Sequence, residues 1–262
     1  MRPTALPQAL FRPDILVMCG KGGIGEALVK EYARRNVHPI ATVLPMESSE
    51  HLSQAGITWF SLDVTIEKSV ADLKRNVLAL TGGRLDILVN NAGICYTMTA
   101  IDTEVASVRR MFDVNVFGPM QMVHHFHDMI IRASGAIVNI GSIGGVVPYI
   151  YGASYNASKA ALHHWSNTLR LEMSPFDVRV ITSAATETAS PETTDRFEYA
   201  ANVVAQSLRS SPSAWFWYGS ATSIIRFFDT FAWRTLWDFV FWREFNLGKL
   251  RTVHLARMKR DA

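Results

Sequence analysis

Residues Asp14 to Gly25 read DILVMCGKGGIG, a short, mostly apolar run that passes directly into a glycine-rich turn. A short apolar run bounded by turn residues is the mark of a buried strand. Glycines between a strand and a helix let the backbone come close to a bound pyrophosphate, whose charge is met by unpaired N–H groups of the helix's first turn. Gly20, Gly22 and Gly25 fit G-x-G-x-x-G, with Lys21, Gly23 and Ile24 completing the turn. They follow a strand and open a helix, the context this pattern requires.

Outward from this turn, apolar strands near 14–19, 38–43, 57–61, 85–90, 135–140, 177–182 and 214–218 alternate with helical stretches at about 23–35, 66–80, 103–131, 152–174 and 193–209. Such alternation builds stacked βαβ units around a parallel sheet. The expected fold is therefore α/β, a doubly wound parallel sheet of about seven strands over residues 14–219. An arm, 1–13, precedes it and an aromatic-rich helical extension, 220–262, follows. A length of 262 residues, 48% of them hydrophobic, suits one such domain.

The net charge of +3 comes without a block of like charges, so no nucleic-acid footprint is present. Cys19 and Cys95 are too few for a disulfide framework, and reduced thiols in a cytoplasmic setting are expected. Met1 to Phe11 lacks an apolar core of signal-peptide length. His124, His125 and His127 fall on a helical stretch with no carboxylate or cysteine in ligand spacing, so no metal is assigned. The sequon Asn156-Ala157-Ser158 lies inside a helical stretch and is not expected to carry sugar.

The chemistry concentrates in Ser142 to Lys159, SIGGVVPYIYGASYNASK. Tyr155 and Lys159 are four apart, which on a helix puts both side chains on one face. An ammonium beside a phenol of ordinary pKa ~10 favours the phenolate, as a general acid that gives up and recovers a proton requires. Ser142 follows the apolar run Ala136 to Gly141, and its hydroxyl is placed to polarise a substrate carbonyl.

Upstream stand Leu85-Asp86-Ile87-Leu88-Val89-Asn90-Asn91-Ala92-Gly93 and Asp113-Val114-Asn115-Val116-Phe117-Gly118. With the glycine turn and Tyr-x-x-x-Lys, and in this order, they make the chain resemble the short-chain dehydrogenase/reductase superfamily from about residue 13 to 220. The resemblance implies a Rossmann-like sheet of strand order 3-2-1-4-5-6-7. It also implies Tyr155 as general acid/base, Lys159 as its pKa-lowering and ribose-holding partner, Ser142 as the carbonyl-orienting group and Asn115 in a proton relay. Asp63 corresponds to the adenine-contacting acid, and Asn91, Ala92 and Gly93 to the adenosine side of the groove. Relatives pair through the helices that here hold Ser107 to Ile131 and Tyr155 to Met173, so a homodimer or homotetramer is expected. Apolar Leu162, Trp165, Leu169 and Leu171 look like surplus greasy surface on the second helix.

The sequence departs from the family pattern T-G-x-x-x-G-x-G by Met18-Cys19 in the leading pair. No acid ends the second strand at Val43-Leu44, where one would bond the adenosine ribose and exclude NADP. No arginine stands there either. Lys21 either meets a 2′-phosphate or is a solvent-facing loop residue, and NADP(H) is favoured over NAD(H). After the sixth strand Ala185-Thr186 replaces the usual Pro-Gly, leaving Thr188, or Ser190 in its place, to bond the carboxamide.

From Trp215 to Phe245 the chain reads WFWYGSATSIIRFFDTFAWRTLWDFVFWREF, interrupted by charges too often for the ~20-residue apolar span of a membrane-crossing helix. It either lies in a membrane interface or buries its rings against the core or a partner subunit. The basic tail of Lys249, Arg251, Arg257, Lys259 and Arg260 suits anionic headgroups or a solvated end. Together with Leu171 to Val180, this pattern is similar to the fungal branch of NADPH-dependent 1-acyl-dihydroxyacetone-phosphate reductases. That resemblance implies a lipophilic small-molecule ketone, either an acyl-dihydroxyacetone-phosphate-like lipid or an intermediate of secondary metabolism. It also implies a cytoplasmic protein peripheral on endoplasmic reticulum or lipid droplets. A weakly active or non-catalytic dinucleotide-binding module at a lipid surface is the alternative.

Overall fold

The computed structural model describes residues 12–185, 195–219, 222–232 and 235–261. Most of the expected N-terminal arm, and Thr188 and Ser190, lie outside the described residues.

Seven strands form one sheet: β1 (Asp14–Met18), β2 (His38–Val43), β3 (Thr58–Ser61), β4 (Ile87–Asn90), β5 (Ala136–Ile140), β6 (Arg179–Ala185) and β7 (Trp215–Tyr218). Every pairing is parallel, in the order β3-β2-β1-β4-β5-β6-β7. The strand alternation sorts side chains between two cores. β1 sends Ile15 and Val17 to one and Leu16 and Met18 to the other. Helices α1 (Ile24–Arg34) and α7 (Arg196–Ser207) cover the first core with Leu28, Tyr32, Val203 and Val204. A short α2 (Glu50–Gln54), absent from the sequence expectation, lies between β2 and β3 and buries Leu52. The second core is covered by α3 (Glu67–Thr81), α5 (Gly118–Ala133) and α6 (Ala153–Met173). Covering both faces is why these strands read as nearly continuous apolar runs.

The helix expected over 103–131 is present but not uniformly α. It consists of α4 (Val105–Phe112), a π-helical turn at Asp113–Phe117, and α5. The wider turn carries Asn115 into the interior, where it is fully buried. The expectation for α6 also needs correcting. Leu162 and Leu169 are buried and Trp165 packs on the second core, so of that stripe only Leu171 is left exposed.

Past β7 the chain forms α8 (Thr222–Phe231), α9 (Leu236–Glu244) and α10 (Leu247–Asp261). A run of ring contacts links Phe228, Trp237, Phe241 and Phe245, and ends with Phe245 edge-on to Tyr151 at 6.3 Å. The Tyr151 carbonyl in turn accepts from the Met98 N–H at 3.0 Å. The aromatic extension thus reaches the loop that leads into α6. Among the described residues no helix is long and apolar enough to cross a membrane.

Candidate active site

β1 pairs with β2 on one side and β4 on the other, so the chain reverses its path across the sheet there. A cleft of about 450 Å³ opens at this point, lined by the ends of β1 and β2 and by the loop that follows β4. A switch point of this kind is where open α/β sheets bind ligands.

Gly20, Gly23, Ile24 and Gly25 line the cleft. A Cβ on Gly25 would stand 2.6 Å from the Met18 carbonyl oxygen and 2.7 Å from Asn91 Nδ2. Asn91 Nδ2 donates to that same carbonyl at 2.8 Å, tying the β4 loop to the turn. Only glycine fits between them, and the cradle so formed is bare backbone at the start of α1. Gly22 adopts φ +76°, a left-handed conformation that glycine takes without strain. Its N–H donates to Glu26 at 2.6 Å and its carbonyl accepts from Arg196. Gly22 and Lys21 are exposed and stand outside the cleft lining.

Cys19, the departure from the family pattern, is buried, and its thiol is pushed up to about 12 by burial and by the nearby Glu26 and Glu47 carboxylates. It is a packing residue with an inert thiol. Cys95 is a free, exposed cysteine at the cleft.

Asp63, Asn91, Ala92 and Gly93 line the cleft. The Asp63 carboxylate accepts from the Thr65 N–H at 2.9 Å and its hydroxyl at 2.6 Å, which fixes its direction. Sequence reasoning missed Glu47. It lines the same cleft, with both carboxylate oxygens 3.8 Å from where a Gly20 Cβ would be. Its only signal was an acid shortly after the second strand.

Tyr155 and Lys159 occupy the other end of the cleft. Both are buried, and Lys159 Nζ lies 5.7 Å from the centre of the Tyr155 ring and donates to the Ile140 carbonyl at 2.9 Å. Ser142 Oγ accepts from the Gly144 N–H at 3.1 Å, so the hydroxyl hydrogen is left to point elsewhere. Asn115 Oδ1 accepts from the Ile94 N–H at 2.8 Å, and its Nδ2 donates to the Ile94 carbonyl and to Ser158 Oγ. Ser158 Oγ donates to the Tyr155 carbonyl at 2.8 Å. Asn115 therefore locks the cleft wall to the helix of the tyrosine. Thr188 lies outside the described residues.

His163, one turn beyond Lys159 on α6, was also missed. It is buried, and its Nε2 accepts from the Ser142 N–H at 3.3 Å. Desolvation, and secondarily the Lys159 charge, hold its pKa down from 6.5 to about 4. The ring is neutral at ordinary pH. Among the described residues no group of His, Cys, Asp and Glu is arranged to hold a metal.

A family model described as short chain dehydrogenase matches residues 14–200. The short-chain dehydrogenase virD of Hypocrea virens is 65% identical, over 93% of this chain and 96% of that one. An NADPH-dependent 1-acyldihydroxyacetone phosphate reductase of Schizosaccharomyces pombe is 41% identical, over 63% of this chain and 56% of that protein. Among solved structures, a metagenomic short-chain oxidoreductase in complex with NADP superimposes with a TM-score of 0.68 at 26% identity, covering 79% of this chain and 96% of that one. With this glycine cradle on a sheet of this order, the chain belongs to the short-chain dehydrogenase family, oxidoreductases that bind a dinucleotide and a small-molecule substrate.

Proposed function

We propose that the protein uses NADP(H) to reduce the ketone of a lipophilic substrate to an alcohol, with Tyr155 as the general acid. The observation that carries this reading is that Tyr155 and Lys159 line the same cleft as the glycine turn, Asp63 and Asn91 to Gly93. The cradle fits a dinucleotide: Gly25 leaves bare backbone where any side chain would collide, at a helix start whose N–H groups suit a pyrophosphate. Held by the glycine turn and Lys159, a nicotinamide dinucleotide would supply the hydride for the carbonyl carbon. The protein's residues manage the oxygen. The Ser142 hydroxyl donates to it and holds its direction, and Tyr155 O–H delivers the proton. Lys159 favours the phenolate left behind, and Asn115 takes part in returning the proton. Run backward, the same groups oxidise an alcohol.

NADP(H) is supported by the lack of an acid at Val43 and Leu44 and by the cofactor in the names of the S. pombe reductase and the metagenomic structure. A second reading, NAD(H), draws on Glu47, whose carboxylate faces the turn and would repel a 2′-phosphate while accepting from ribose hydroxyls. A lipophilic substrate and a peripheral site on endoplasmic reticulum or lipid droplets are supported by the extension. It exposes Ile224, Phe227 and Phe231 on α8 and Phe239 and Trp242 on α9, and the basic α10 follows in the chain.

The test is a fluorescence titration of the purified protein with NADPH and with NADH, followed by a panel of alkyl, aryl and acylated ketones. Tighter NADPH binding and turnover rising with the apolar size of the ketone are expected. Tighter NADH binding establishes the second reading; no binding of either, or turnover indifferent to apolar size, overturns the proposal.

A further inference from the structure

His163 does more than fill space. Tyr155, Lys159 and His163 follow one another at steps of four on α6, so they share a face, and all three are buried. The imidazole is nested between two glycines of the Ser142 loop. A Cβ on Gly141 would stand 2.2 Å from Nε2, and one on Gly145 would stand 2.4 Å from Cε1. Neither approach is possible with any other residue. Trp215 closes another side edge-on at 5.0 Å, and its own Nε1–H is pinned to Asn167 Oδ1 at 2.9 Å.

Within this clamp Nε2 accepts from the Ser142 N–H, which puts the ring's proton on Nδ1. The Ser142 backbone is thereby held from behind while its Oγ is held from the front by the Gly144 N–H. A donor aimed at developing charge is effective when its direction is fixed beforehand. We infer that His163 is a positioning residue for the reduction: its neutral ring fixes the Ser142 backbone, and hence the direction of the Ser142 hydroxyl, without touching substrate or cofactor. This inference rests on the reading that Ser142 and Tyr155 act on the carbonyl.

The experiment compares His163→Phe, which keeps a ring but no acceptor, with His163→Gln, whose carboxamide oxygen can replace Nε2, each alone and on a Ser142→Ala background. Rates are read with the ketone turned over fastest in the panel above, and amide exchange of Ser142 is followed without substrate. His163→Phe is expected to lower kcat about tenfold to a hundredfold. KM and NADPH affinity stay within about twofold, the pattern of a loss felt in the transition state. Exchange at Ser142 quickens. His163→Gln restores most of the rate and the protection, and on the Ser142→Ala background His163→Phe costs nothing further. A wild-type rate for His163→Phe, an equally impaired His163→Gln, or losses that multiply with Ser142→Ala would each overturn the inference. If His163→Phe does not fold, the adaptable His163→Met takes its place with the same outcomes. A wild-type rate for Ser142→Ala alone would instead overturn the catalytic reading, so the two failures are distinguishable.

Discussion

At the scale of single residues, Tyr155 and Lys159 line the cleft one helical turn apart, and His163, a further turn along α6, backs the Ser142 loop. Tyr155, Lys159 and Ser142 were legible because the reduction proposed for them needs a recognisable spacing along one helix and its preceding loop. His163 stands in the run His163-His164-Trp165, which carries no motif that marks it; Gly141 and Gly145 folded onto the ring show it to be interior. Its depressed pKa has a consequence for stability. Between about pH 6.5 and 4 the unfolded chain binds a proton that the native ring refuses, so stability falls as pH drops through that window. The charged neighbours are Lys159 on its own helix and, across an adjoining cavity, Asp229 of α8. The loss is on the order of 3 kcal/mol at most, read as a falling Tm, and His163→Gln is expected to flatten that slope. Cofactor choice is decided at the same scale. If Lys21 meets a 2′-phosphate, Lys21→Ala weakens NADPH by about 1.5–3 kcal/mol and leaves NADH nearly unchanged. Glu47→Gln acts oppositely, tightening NADPH by at least about 1 kcal/mol. Equal effects on both cofactors in fluorescence titrations would show that these residues merely shape the turn.

At the scale of elements, strand positions were legible because the cores on both faces of the sheet demand unbroken apolar runs. The order of those strands was not, since pairing leaves no periodic trace; it came from the family resemblance and the sheet bears it out. The π turn at Asp113–Phe117 was invisible for a related reason. One wider turn keeps the helical pattern of apolar residues while changing which side chain points inward, and here that side chain is Asn115. The glycine turn joins β1 to α1 where the sequence places it, and Gly25 proves more constrained than the motif alone implies. Gly25→Ala places a methyl within 3 Å of Met18, Cys19 and Asn91, so the turn must shift. Overpacking of this kind costs about 1–3 kcal/mol. NADPH affinity is expected to fall with it, by about tenfold or more, whereas Gly56→Ala, at a position with open space but φ +68°, should cost stability alone. Calorimetry of binding and a melting curve separate the two.

At the scale of the whole molecule, composition showed an aromatic C-terminal extension without revealing its partner. Folding half-buries Trp237 and Phe241 in the ring run that reaches Tyr151, and leaves a set of apolar side chains exposed on α8 and α9. We expect the full chain to sediment with vesicles containing anionic lipid, and to be released partly by salt. Replacing Phe227 and Phe231 by Ser, which leaves the catalytic core untouched, should weaken that association at least tenfold, by the ~1.5–3 kcal/mol per large apolar side chain withdrawn from lipid. No sedimentation of the intact protein at low salt would assign these rings to a protein contact instead. A homodimer or homotetramer paired through α4 to α6 remains our expectation, and a monomer mass by light scattering would refute it. The central claim is nevertheless chemical, and Tyr155→Phe tests it most directly, because the variant keeps the buried ring and removes only the proton. Single-turnover reduction with saturating NADPH should show unchanged cofactor affinity and a rate lowered by at least ~10²–10⁴. A wild-type rate in that variant would contradict the account.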